Sequence, residues 1–175
     1  MTTGGTLVIG ALVVWLVFFV FAFHLLFIDD KVNEADPFAG ASPSATALGT
    51  SPEIATGSAQ ETHRGSFVDR SHPSSGGATI TTDGSKIFLR FEELRTDNGP
   101  DLFVYLSAGV TATSPSGELD DDFVDLGKLK GNIGSQNYEV PSGTDLAKYK
   151  TVVIWCRRFA TAFGASDLTA TAVRS

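Results

Sequence analysis

The stretch that most constrains the fold lies at residues 151–155, which are β-branched or aromatic without interruption. Such residues favour strands, and an unbroken apolar run of this length indicates a strand buried on both faces. Side chains alternate between the two faces of a strand, so the stretch and its continuation divide into two sets. One face is predicted to hold Val152, Ile154 and Cys156, and the other Val153, Trp155 and Arg157.

Cys156 is the only cysteine of the chain, and two arginines, Arg157 and Arg158, follow it directly. Neighbouring positive charge stabilises a thiolate, which makes Cys156 the candidate redox residue, with Trp155, Arg157 and Arg158 as supporting residues. The alternative is a small buried hydrophobe, since free cysteine is among the most buried residue types. In an exported domain a single cysteine forms no internal disulfide, so it is a candidate reactive thiol, metal or cofactor ligand, or intermolecular bridge.

An apolar run without any charged residue covers residues 7–28, which is 22 residues. About 20 such residues cross a bilayer as a helix, whereas the core of a cleaved signal peptide is shorter and precedes a small-residue cleavage site. We therefore expect an uncleaved transmembrane signal anchor at residues 7–28. The expected protein is a single-pass protein of the cell membrane, with its C-terminal part outside the cytoplasm.

Residues 29–61 are rich in Ala, Ser, Thr, Gly and Pro, which predicts a flexible, disordered linker. This segment carries six acidic residues and one basic residue, whereas residues 62–175 carry fourteen acidic and twelve basic residues. The acidity of the chain therefore belongs mainly to the predicted linker. Because the distal region has no basic excess, nucleic acid is not an expected partner.

Residues 62–175 contain about nine short strand-like segments separated by turn residues, and no amphipathic helix of ten or more residues. Asp83-Gly84 is a two-residue hairpin signal between two such segments. Ile87, Leu89 and Phe91 alternate with more polar positions and are predicted to share one face. The pattern predicts an all-β fold, an antiparallel sandwich or barrel-like domain.

The distal domain resembles the electron-transfer DM-thirteen domain, which occurs in Skeletor-type animal proteins and in many bacterial membrane-anchored proteins. The resemblance covers nearly all of residues 63–173 and rests on the combination of several short motifs. These are Gly65-Ser-Phe67 with His72, Phe91 with Asn98-Gly-Pro-Asp-Leu102 and Val104-Tyr-Leu106, Leu126-Gly-Lys-Leu-Lys-Gly131, Gly134-Ser-Gln-Asn-Tyr138 with Pro141, and Val153-Ile-Trp-Cys-Arg-Arg-Phe159 with Phe163.

The resemblance implies a sandwich-like fold and a redox or electron-transfer role centred on Cys156. It names no electron donor or acceptor, so the redox partner is unknown. The alternative function is a non-catalytic binding or interaction module at the cell surface, in which Cys156 is structural. The sequence leaves open whether the chain is an enzyme.

His72 precedes Pro73 in a polar turn and is the candidate partner of Cys156, as a base or a second ligand. The alternative for His72 is an exposed loop histidine. The cofactor is unknown: the haem-attachment motif Cys-x-x-Cys-His is absent, although a haem held by a cysteine thiolate is conceivable. No metal site is predicted, because one cysteine and scattered histidines lack the spacing of zinc ligands.

Overall fold

The computed structural model describes residues 15, 29–39 and 59–171. Residues 29–39 and 59–171 form eleven β-strands and contain no helix. The strands are β1 (Lys31–Asn33), β2 (Gln60–Ser66), β3 (Val68–Asp69), β4 (Ser74–Thr82), β5 (Ile87–Thr96), β6 (Leu102–Ser107), β7 (Phe123–Lys128), β8 (Ile133–Val140), β9 (Thr151–Cys156), β10 (Thr161–Asp167) and β11 (Thr169–Ala170).

No helix that could span a bilayer is found within the described residues. The predicted anchor at residues 7–28 lies outside them except for Trp15, and so do residues 40–58 of the predicted linker.

The strands form two sheets. The first has the order β1-β8-β5-β4-β2-β11, and the second has the order β3-β10-β9-β6-β7. Every pairing is antiparallel except that of β1 with β8, which is parallel. The prediction of an all-β fold is confirmed, and the first sheet is mixed rather than purely antiparallel.

The main core lies between the two sheets and receives fully buried side chains from both of them. Ile80, Leu89 and Phe91 come from the first sheet, and Val104 and Ile154 come from the second. Burying apolar side chains between two facing sheets is the arrangement of a β-sandwich. A second, smaller cluster covers the outer face of the second sheet, where the connection between β6 and β7 lies over it.

The local signals that predicted single strands agree with the structure. β9 has the bounds expected from its apolar run, and all six of its residues are buried. β4 and β5 form a hairpin at Asp83-Gly84, where Gly84 adopts the left-handed conformation that the turn requires. Leu89 and Phe91 enter the core, whereas Phe88 points outward, as the alternation predicts.

Residues 29–39 differ from the flexible linker expected there, because β1 pairs with the outer edge of β8. The side chain of Asn132 fixes the start of this segment: its amide donates to Asp29 over 2.9 Å, and its oxygen accepts from the Asp30 amide over 2.7 Å. Phe38 packs edge-on against Phe88 at the other end. These contacts are long-range, so composition alone does not reveal them. We call residues 29–39 the strap.

Glu34 joins the strap to the first sheet through hydrogen bonds of its carboxylate. Its carboxylate accepts from Lys130 Nζ over 2.8 Å and from the Asn137 amide over 2.7 Å. Burial alone would raise the pKa of Glu34, but these hydrogen bonds and the charges of Lys130 and Arg90 outweigh it and hold the pKa below its ordinary value. The ionised form of Glu34 therefore stabilises the folded strap.

Replacing Gly134 by alanine should detach the strap. A methyl group at this position would overlap the Val32 carbonyl oxygen, and Gly134 has a φ of +110° that other residues rarely adopt. We expect Gly134→Ala to lower the free energy of unfolding by about 2 kcal/mol or more. Gly117→Ala is the matched control, because a methyl group there meets open space, and it should change stability by less than about 0.5 kcal/mol. Urea titration measures both values.

The contribution of Glu34 should depend on pH. A carboxyl group with a lowered folded-state pKa stabilises the protein above its ordinary pKa of 4.5, and the contribution is lost as the pH falls through the lowered value. Glu34→Gln should therefore cost roughly 0.5 kcal/mol at pH 7, as expected for a partly exposed ion pair, and less at pH 3, which lies below the ordinary pKa of the carboxyl group. An equal cost at both pH values, measured by urea unfolding, would contradict this assignment.

Candidate functional site

Cys156 is the last residue of β9 and is completely buried. Its neighbours in the sheet are Leu102, the first residue of β6, and Thr161, the first residue of β10. Its side chain belongs to the core between the sheets, together with Val152 and Ile154. The predicted face is therefore confirmed, and the sulfur lies at the end of the sandwich, one residue before the chain reaches solvent.

Arg157 lies on the opposite face of the second sheet from Cys156. Its guanidinium group stacks over the Phe103 ring at 3.3 Å and donates hydrogen bonds to the Tyr105 hydroxyl and the Asp125 carboxylate. This combination of cation–π contact and ion pair uses the planar, multidentate character of guanidinium. The charge of Arg157 is thus engaged away from the thiol that we expected it to support.

Trp155 belongs to the smaller cluster on the outer face and is almost fully buried there with Phe103 and Tyr105. Burial raises the pKa of Tyr105 above its ordinary value, although the hydrogen bond from Arg157 opposes this shift. Tyr105 is therefore a neutral phenol at physiological pH. Trp155 packs behind the sheet rather than against the sulfur, since Cys156 points to the other side.

Arg158 and Phe159 lie in the turn that joins β9 to β10, at residues 157–160. Both side chains are exposed, and 62% of the Phe159 surface is accessible to solvent. Among the described residues, Arg158 takes part in no ion pair. Ala160 has a φ of +46°, a conformation that is uncommon for a residue with a side chain. This turn is the surface feature nearest in sequence to Cys156.

His72 contacts Asp97 and Phe163 and makes no hydrogen bond to Cys156. Its Nδ1 atom is 2.9 Å from Asp97 Oδ2, and its ring stacks on Phe163 with 3.7 Å between the ring centroids. Phe163 itself belongs to the core that contains Cys156. His72 therefore packs on the edge of the core cluster that contains Cys156, and no hydrogen bond among the described residues joins its ring to the thiol.

Cys156 does not line any of three cavities, with volumes of about 720, 390 and 130 Å³, that the described residues form. A haem held by the Cys156 thiolate would require open space beside the sulfur, whereas Cys156 is completely buried in the core, so its surroundings do not fit this group. Among the described residues, no group of three or more His, Cys, Asp or Glu side chains is arranged to hold a metal ion.

Sequence reasoning missed the partners of the site residues, which are Asp97 for His72 and both Tyr105 and Asp125 for Arg157. One signal was available: Phe103 and Tyr105 are two residues apart in a doubly buried strand, so they share a face. The pairing of β6 with β9, which brings that face to Arg157, depends on a register that the sequence does not display.

A search of curated proteins found no match, and a search of solved structures found none either. The family model described as electron transfer DM13 matches residues 66–168. The matched range includes Cys156 and His72, and it leaves out β1, β11 and all of β2 except Ser66. Since the match covers more than half of the sequence, the chain belongs to the electron transfer DM13 family.

Proposed function

We propose that this chain is a single-pass membrane protein whose β domain lies outside the cytoplasm and takes part in electron transfer, with Cys156 as the redox group. Family membership supports the electron-transfer role. The uncharged apolar run at residues 7–28 supports the anchor, because about 20 such residues cross a bilayer. The observation that carries the choice of Cys156 is its position in the final residue pair of β9, beside an exposed turn.

Access to the sulfur would come from local opening. A thiol in the middle of a central strand is exposed only when the whole domain unfolds, whereas the last pair of a hairpin opens at lower free energy. Leu102 and Thr161, the two neighbours of Cys156, each begin their strand. Separation of these terminal pairs with the turn at 157–160 would expose the sulfur while the rest of the sandwich stays folded.

The second candidate function is a non-catalytic binding module at the cell surface with a structural cysteine. The specific observation that favours it is the complete burial of Cys156 among apolar side chains. A small hydrophobe at this position would serve packing equally well. The two functions differ in whether the thiol reacts while the domain remains folded.

Thiol labelling at increasing urea concentration distinguishes the two functions. If the terminal pairs open locally, Cys156 should react at least about tenfold faster than global unfolding permits, a difference of roughly 1.4 kcal/mol in opening free energy. Its rate should also depend weakly on urea below the unfolding transition, since little surface is exposed. A rate with the full urea dependence of global unfolding would establish the structural cysteine. The measurement is mass-spectrometric detection of alkylation in the full-length protein.

A Ser85→Cys variant in a Cys156→Ala background provides the control for this labelling. Ser85 lies exposed in the hairpin between β4 and β5, so its thiol should react at a rate that does not change with urea. This rate gives the intrinsic reactivity of an accessible thiol under each condition. The ratio of the two rates is the equilibrium constant for opening at Cys156.

Substitution of Cys156 should show how completely the core encloses it. Cys156→Ser places a hydroxyl group in apolar surroundings, and we expect a loss of about 1–3 kcal/mol in the free energy of unfolding. Cys156→Ala removes the sulfur without adding a polar group and should cost about 1 kcal/mol. Equal stability of the serine variant and the wild type, measured by urea titration, would show that water reaches this position.

A further inference from the structure

The turn at residues 157–160 combines an exposed aromatic ring with a cation. Phe159 has 62% of its surface accessible, and among the large apolar residues that the structure describes only Trp15, at 63%, is more exposed. Arg158 beside it has no ion pair among the described residues, whereas two other cations at this end are engaged: Arg157 with Asp125, and Lys128 with Asp101. An apolar ring next to an available guanidinium group is suited to bind a surface in which an anionic outer layer covers an apolar inner layer.

This turn and the start of the strap lie at the same end of the sandwich. The Arg157 amide donates to the Asp101 carbonyl over 3.0 Å. Asp101 and Asp30 line one cavity of about 130 Å³, together with Lys128 at the end of β7. Ser85 lies at the opposite end of the sandwich. Strand β5 starts near Ser85 with Ile87, which pairs with Val140, and it ends near Asn132, where Arg95 pairs with Ile133.

The chain reaches this end directly from its apolar run. Residues 7–28 are followed by Asp29 and Asp30, and both are held by Asn132. Asn132 lines the cavity, so Asp29, the first residue after the apolar run, lies beside it. Residues 40–58 do not intervene, because they follow the strap rather than precede it.

We propose that the turn at residues 157–160 rests on the membrane surface, with the Phe159 ring at the boundary of headgroups and acyl chains and the Arg158 guanidinium bound to lipid phosphate. The proposal rests on the membrane anchor of the proposed function. Arg158 supplies the charge complementarity, since guanidinium binds phosphate in a bidentate manner. Local opening at Cys156 then takes place at the bilayer surface, and its redox partner is itself held in or on the membrane.

The test uses the full-length chain in lipid vesicles and quenching of tryptophan fluorescence by brominated lipids. Phe159→Trp in a Trp15→Phe background keeps an aromatic ring in the turn, and Ser85→Trp in the same background is the matched control at the opposite end. Trp155 remains in this background, so the quantity compared is the fluorescence that each new tryptophan adds to that of Trp155. We expect brominated lipid to reduce the fluorescence added by Phe159→Trp by about twofold, consistent with insertion of the ring to the acyl boundary. Ser85→Trp should be unaffected.

Quenching of Phe159→Trp should be stronger in vesicles that contain phosphatidylglycerol than in pure phosphatidylcholine, and Arg158→Gln should remove this difference. Equal, negligible quenching at positions 159 and 85 in a chain that resists carbonate extraction would overturn the proposal while leaving the anchor intact. Extraction of the chain by carbonate would instead refute the anchor, and with it the membrane part of the proposed function.

Discussion

The burial of β9 on both faces is the constraint on which the rest of this structure depends. Its inner side chains complete the core between the sheets, and its outer ones form a second cluster under the connection between β6 and β7. Neither face of β9 is exposed to solvent, so a charged side chain within the strand would be buried without water, and β9 contains none. The two arginines therefore begin where the strand ends, and Cys156 occupies the last position that is still inside.

The sequence predicts those parts of the fold that depend on local pattern. The bounds of β9, the hairpin at Asp83-Gly84 and the orientation of Leu89 and Phe91 all follow from alternation and turn chemistry, which act over a few residues. The position of Cys156 on the inner face follows in the same way. The family resemblance also predicts the sandwich architecture, but it does not predict the order of the strands within each sheet.

The remaining features depend on contacts between residues that are far apart in the chain. The strap attaches along β8 across about a hundred residues, through Asn132 and Glu34, and no local pattern within residues 29–39 specifies these partners. Arg157 finds Asp125 and Tyr105 only because β6, β7 and β9 adopt one particular register. Adjacency in the chain makes Arg157 a candidate support for the thiol, but the alternation that predicts the two side chains on opposite faces also keeps the guanidinium group away from the sulfur.

This separation of Arg157 from the sulfur changes how reactivity at Cys156 would be controlled. If the guanidinium group faced the thiol, its charge would set the fraction of thiolate. In the observed arrangement Arg157 instead ties the start of the turn to Asp125 and Tyr105, and its backbone amide is bound by Asp101. On the proposed function, Arg157 therefore stabilises the closed state of the strand end, and the rate at which the sulfur becomes available is set by the local stability of a turn rather than by electrostatics at the thiol.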